Sequence, residues 1–164
     1  MAERHTTNGK ASWIQGLQFT ATTNSGKEMV LDSPNKELGG LDSGPSPAEL
    51  IPVSLAGCTG MDVISILQKM QQDVKGFAVE VEGERETEHP KRYTAFEVTF
   101  HFNGEDLDAA KVEKAIILSR DKYCSVQATL DLAAPSRHFY TINGGDPVAL
   151  PLTETEPEAG AERL

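Results

Sequence analysis

The chain has 164 residues, 38% of them apolar, and a formal net charge of −10. That length suits one domain, able to bury roughly two thirds of the surface its unfolded form exposes. The acidic balance argues against a nucleic-acid or anionic-membrane partner, since both would repel the chain. The first ten residues, Met-Ala-Glu-Arg-His-Thr-Thr-Asn-Gly-Lys, contain no apolar run of the kind a secretory signal needs. Two cysteines, Cys58 and Cys124, without such a signal indicate a reducing cytoplasm, where a permanent structural disulfide is not expected.

Residues 1–11 are polar and read as disordered. From Ser12 apolar and polar positions alternate, with Trp13, Leu17, Phe19 and Ala21 in one phase, the pattern of a half-buried strand. Asn24-Ser25-Gly26 is a turn signal, and Glu28 to Leu31 returns as the second arm of a hairpin. Residues 32–46 are loop chemistry throughout, with Gly39-Gly40 and Gly44 serving loop geometry rather than a phosphate cradle.

The stretch from Ser46 to Met70 is the longest nearly uncharged run and reads as a helix. Ser46 is its candidate N-cap, Pro47 fits the first helical position, and Glu49 stands where a capping box needs a carboxylate. Leu50, Val53, Gly57, Met61, Ile64 and Leu67 recur at helical spacing, while Ile51, Leu55, Val63 and Ile66 make the other faces apolar. A helix apolar nearly all round is expected to be buried. Its length could span a bilayer, but Glu49, Asp62, Gln68 and Lys69 interrupt it, so it is read as a core helix. Pro52 removes one backbone hydrogen bond and implies a kink or a restart. Gly76 marks the expected end.

The clearest β pattern follows. Phe77, Val79 and Val81 alternate with polar or small neighbours, as do Phe96, Val98, Phe100 and Phe102. Both read as strands of an antiparallel sheet covered on one side. Asp106 or Asp108 caps a second helix running to about Asp121, with Val112, Ala115, Ile116 and Ser119 as its inner stripe. Tyr123-Cys124-Ser125-Val126 interrupts it before a short helical turn to Leu130. Arg137 to Ile142 is the last strand expected, and the acidic tail 151–164 reads as disordered. The whole gives an α+β fold, with residues 12–150 as a single domain.

Among residues that could carry chemistry, a free cysteine in an apolar helix, such as Cys58, is ordinarily a small buried hydrophobe. Cys124 lies between two helical segments, where backbone N–H groups favour a thiolate. Cysteines 58 and 124 lie too far apart in sequence for a metal-ligand motif, so no metal and no cofactor is expected. Asp62 lies one helical turn after Cys58, and an anion there would oppose thiolate formation. His5, His89, His101 and His138 are scattered and read as solvated.

The segments Gly39-Gly-Leu-Asp-Ser-Gly44-Pro-Ser-Pro47-Ala-Glu49-Leu, Leu55-Ala-Gly-Cys58-Thr-Gly-Met-Asp62-Val and Ser119-Arg-Asp-Lys-Tyr-Cys124-Ser-Val together resemble the OsmC/Ohr family. The resemblance extends from about Trp13 to Ile142. It implies an interwoven homodimer in which antiparallel sheets wrap two central helices, with an active site at each end of the subunit interface. It further implies a cysteine-based thiol peroxidase acting on organic hydroperoxides in stress defence, with Cys58 peroxidatic, Cys124 resolving and Glu49 as acidic partner. A lipoyl or thioredoxin-like dithiol would be the reductant. Two positions depart from the family pattern. No arginine occurs between Arg4 and Arg85 to hold the thiolate, leaving Lys27 or a partner residue, and Glu49 stands one place later than the usual acid, where it also suits the capping box. The Cys-Thr-x-x-Asp sequence is similar to the OsmC-like branch. The alternative it leaves open is a redox-responsive or hydrophobic-ligand-binding protein without robust turnover.

Overall fold

A computed structural model describes residues 5–152. The tail 153–164 and the first four residues lie outside the described residues, and with them most of the expected disordered ends. The chain divides into two compact units, one up to Ile51 and one from Pro52. Each carries its own sheet, and the fold class is α+β as expected.

The first unit holds a three-stranded antiparallel sheet in the order β1 (Gly9–Gln15), β2 (Gln18–Thr23), β3 (Glu28–Leu31). The alternation from Ser12 to Ala21 is therefore two strands rather than one. Trp13 and Phe19, which share a phase in the sequence, are cross-strand partners around a tight turn. Gly16 permits that turn: its φ is +48°, and a Cβ there would stand 2.2 Å from the Gly39 carbonyl oxygen. The ladder also begins at Gly9, so Gly9–Ala11 pair with Ala21–Thr23 although their composition reads as disordered. The hairpin over Asn24-Ser25-Gly26 is as expected.

The loop after β3 is organised by a residue that the sequence did not single out. Asp32, 2% exposed, accepts hydrogen bonds from the backbone N–H groups of Ser33, Leu41 and Ser43 and from the Ser43 hydroxyl. The Ser43 hydroxyl leads in holding its carboxyl down, from a usual 3.8 to about 2. Gly40 and Gly44 serve close backbone approach, since a Cβ would lie 2.1 Å from the Ser33 carbonyl oxygen at the first and 2.4 Å from that of Val30 at the second.

The second unit holds the sheet β4 (Val74–Arg85), β5 (Tyr93–Gly104), β6 (Ser136–Ile142), β7 (Val148–Ala149), in that order. Strands β4 and β5 pair antiparallel, and β5 alternates buried and half-buried positions along Phe96, Val98, Phe100 and Phe102. The expectation of a wholly antiparallel sheet is corrected at β6, which runs parallel to β5. The reason is topological: helical segments carry the chain from the end of β5 back to its start, and a crossover of that kind delivers a parallel neighbour. Strand β7 had no periodic signal, being two residues long.

Helix α1 spans Leu50–Lys69, preceded by a 3₁₀ turn at Pro47–Glu49. Pro52 lies in its first turn, where its missing N–H would have no intrahelical partner, so no restart is needed. The helix ends before Gly76, contrary to expectation. Gln71 takes the left-handed conformation (φ +56°), and N–H groups of Gln71 and Gln72 bond back to the carbonyls of Gln68 and Leu67. Gly76 instead sits in β4.

Helix α2 (Ala109–Leu118) is capped by Asp108, which accepts from the Ala110 and Lys111 N–H groups. Its stripe of Val112, Ala115, Ile116 and Ser119 is buried as expected. Its expected end near Asp121 is replaced by a π-helical turn, Ser119–Tyr123, and α3 (Ser125–Leu130) follows.

Candidate functional site

The expectation that α1 is buried all round is corrected by the chain itself. Leu55, Thr59, Gly60, Val63 and Leu67 are buried, whereas Val53 is 62% and Met61 70% exposed. Gly60 lets the helix lie close on β4: a Cβ there would meet Val79 at 3.3 Å. Beside it, Val53, Gly57, Met61, Ile64, Phe77 and Val79 line an open apolar cavity of about 430 Å³.

A quarter-turn away, α1 presents Cys58 and Asp62 together, as their spacing of four requires. The third member comes from the π turn. The extra residue in that turn lets the Cys124 N–H bond to the Ser119 carbonyl at 2.9 Å. Cys124 then caps α3, its sulfur accepting from the Gln127 N–H at 3.4 Å. As a result Cys58 Sγ, Cys124 Sγ and a carboxylate oxygen of Asp62 all lie within 4.8 Å of one another. Both thiols are free, Cys58 half-buried and Cys124 buried. Burial, with the neighbouring Cys58 adding to it, pushes the Cys124 thiol up to about 12.

Asp62 is oriented by Ser119, whose hydroxyl is 3.3 Å from Asp62 Oδ2 and 2.9 Å from Thr59 Oγ1. Next to these groups lies a second cavity of about 380 Å³ with mixed walls: Asp62, Ser65 and Lys69 supply polar groups, and Ile66, Met70, Leu118 and Tyr123 apolar ones. Arg120 lies three residues before Tyr123 and is 8% exposed. Its guanidinium is occupied by the Asp121 carboxylate and the Pro151 carbonyl.

The candidates named from sequence thus fare differently. Cys58, Asp62 and Cys124 come together. Glu49 belongs to the first unit, where its carboxylate accepts from the Ser46 N–H and hydroxyl, both at 2.7 Å, and these bonds lower its pKa. It performs the capping-box duty that its position suggested. Ser119 and Thr59 escaped the sequence reading as site residues, because a buried hydroxyl pair is marked by no periodicity. His138 is not solvated, as was expected, but buried. The reason is the face it occupies: Arg137 beside it is exposed, whereas the His138 ring meets Gln127 of α3 and stacks at 6.3 Å on Phe100.

Three comparisons bear on these residues. The family described as OsmC-like protein matches residues 40–137, which include both cysteines. Protein YhfA of Escherichia coli K12 is 36% identical over 133 residues, covering 81% of this chain and 96% of YhfA. Among solved structures, a protein from Aquifex aeolicus VF5 superposes with a TM-score of 0.72 at 28% identity, covering 85% of this chain and 97% of the other. An organic hydroperoxide resistance protein OsmC from Legionella pneumophila shares the fold at a TM-score of 0.61 and 17% identity, covering 85% and 99%.

Proposed function

Because the chain belongs to the OsmC-like family, we propose that it is a cysteine-based peroxidase that reduces organic hydroperoxides to alcohols. The observation that carries this reading is the pairing of two free thiols within 4.8 Å, one half-buried and one buried. The asymmetry in burial between them supports distinct roles. Cys58, the more accessible thiol, attacks, and buried Cys124, whose pKa burial raises, resolves.

In the first step the Cys58 thiolate attacks one peroxide oxygen. The O–O bond breaks, the alkoxide leaves and takes up a proton as the alcohol, and Cys58 becomes a sulfenic acid. The Cys124 sulfur then displaces hydroxide from that sulfenic acid. The thiol proton leaves with it as water, and a Cys58–Cys124 disulfide forms. A dithiol of the lipoyl or thioredoxin class returns two electrons and two protons by exchange. Glu49, engaged with Ser46, acts in this scheme by fixing the start of the Cys58 helix rather than by touching substrate.

We assign the outward face of α1 to a second copy of the chain, giving a homodimer, with the cytoplasm as its compartment. The exposed Val53 and Met61 and the open apolar cavity beside them support the dimer. The 380 Å³ cavity beside Asp62 falls within the usual size range of small-molecule sites, about 300–1,000 Å³, and favours a second reading in which a small ligand is bound without turnover.

The deciding experiment treats reduced protein with stoichiometric cumene hydroperoxide and follows free thiols and intact mass. Loss of both thiols with a mass decrease of two hydrogens is expected. Cys58→Ser should abolish it, and Cys124→Ser should stop at a dimedone-trappable sulfenic acid. Thiols that persist against organic peroxides would remove the peroxidase reading and leave ligand binding.

A further inference from the structure

We propose that the reduced protein binds one thiophilic divalent cation of the zinc class through Cys58 Sγ, Cys124 Sγ and an Asp62 carboxylate oxygen. The sequence spacing of the cysteines gives no hint of such a site. The fold creates it by closing the π turn and α3 onto the middle of α1, which brings all three donor atoms within 4.8 Å of one another.

The donor set has the features of a chelate. Cys58 and Asp62 are four residues apart on one helix, the spacing at which two side chains reach a single ion. Cys124 arrives from a different element and is positioned by its own backbone, capping α3 through the Gln127 N–H. Asp62 is already held from outside the trio by the Ser119 hydroxyl, the kind of supporting bond that fixes a ligating carboxylate.

The distances suit a metal. With zinc–sulfur bonds of about 2.3 Å, two sulfurs on one tetrahedral ion stand about 3.8 Å apart. From a separation of at most 4.8 Å the thiols need close by no more than about 1 Å. A disulfide demands more, because the sulfurs must come to about 2.05 Å. Two thiolates select zinc, cadmium or cobalt over magnesium and calcium. Cys58 and Asp62 are half-buried, so an ion can reach them, and a water completes the fourth position. Each ion bound displaces the two thiol protons to solvent, with no change in oxidation state.

Binding stands on these donors alone. Its consequence rests on the peroxidase reading: an ion on both sulfurs removes the attacking and the resolving thiol together, so metal and peroxide compete for one reduced state.

The test uses the full reduced chain with cobalt(II) as the spectroscopic probe and zinc as competitor. One equivalent of cobalt should give sulfur-to-cobalt charge-transfer absorption in the near ultraviolet, displaced by zinc. Cys58→Ser and Cys124→Ser should each lose much of that absorption. Asp62→Asn, which keeps the side-chain shape, should weaken zinc binding at least about tenfold with circular dichroism unchanged. Wild-type protein alkylated with iodoacetamide gives a further check that needs no variant, and it should not bind. Absence of charge transfer at stoichiometric cobalt, its survival in the alkylated protein, or unaltered affinity in Asp62→Asn would each overturn the site. No peroxide is present in these measurements, so their failure and failure of the thiol-oxidation experiment are separate results.

Discussion

His138 Nε2 lies 3.2 Å from Gln127 Oε1, and this contact fixes which imidazole nitrogen carries the proton. The Gln127 amide nitrogen donates to the Asp131 carboxylate and to Ser136 Oγ, so its oxygen must face the ring. His138 therefore donates through Nε2, and its buried Nδ1 has no partner among the described residues. Burial, reinforced by the Arg120 guanidinium, lowers its pKa from 6.5 to about 4. A histidine that folding keeps neutral contributes stability above its unfolded pKa and loses it as pH falls from about 6.5 to about 4. Urea unfolding should show that decline, and His138→Gln should flatten it. Burial raises the Asp131 pKa, an effect of opposite sign near the foot of this window, so the His138 contribution is read in the upper half. Nitrogen NMR should find the His138 ring still neutral at the middle of the window.

The Asp32 carboxyl makes a prediction at lower pH. Its folded pKa of about 2 lies below the usual 3.8, so its stabilisation is complete above 3.8 and lost as pH falls toward 2. Asp32→Ala strips the Leu41 and Ser43 amides of their acceptor. Amide exchange at those two positions should accelerate, while that of β4 and β5 stays unchanged.

Ser119→Ala tests the link between α1 and the π turn. Ser119 is fully buried, and its hydroxyl serves Thr59 and Asp62 together. Leaving the Thr59 hydroxyl unpaired in the core costs about 1–3 kcal/mol, visible as a lower Tm. A Tm equal to wild type would mean that the pair carries no stability.

Phe100→Ala should be the most damaging of these changes. The ring is fully buried and stacks at 6.5 Å on Phe77, 6.5 Å on Phe102 and 6.3 Å on His138. Emptying that position costs about 3–5 kcal/mol in denaturant unfolding.

Gly40→Ala would place a Cβ against two backbone carbonyls, 2.1 Å from Ser33 O and 2.8 Å from Asn35 O. Neither can retreat as a side chain would. A loss of about 1–3 kcal/mol is expected, with the far-ultraviolet circular dichroism of the folded protein retained.

Features that depend on neighbours along the chain were legible in the residues alone. The two-residue alternation of Phe96 to Phe102 and the stripe Val112, Ala115, Ile116, Ser119 specified β5 and α2, because a side chain's direction follows from local backbone geometry. Ser46, Pro47 and Glu49 marked the start of α1 for the same reason. Glu49 was legible as a cap and also read as a catalytic acid, since one carboxylate satisfies both patterns. What meets across the chain depended on the folded arrangement. It set β6 parallel to β5, closed Cys124 onto Cys58 and Asp62, paired Ser119 with Thr59, and dried out His138. Pairing, proximity and desolvation depend on residues far apart in sequence, and periodicity carries no information about them.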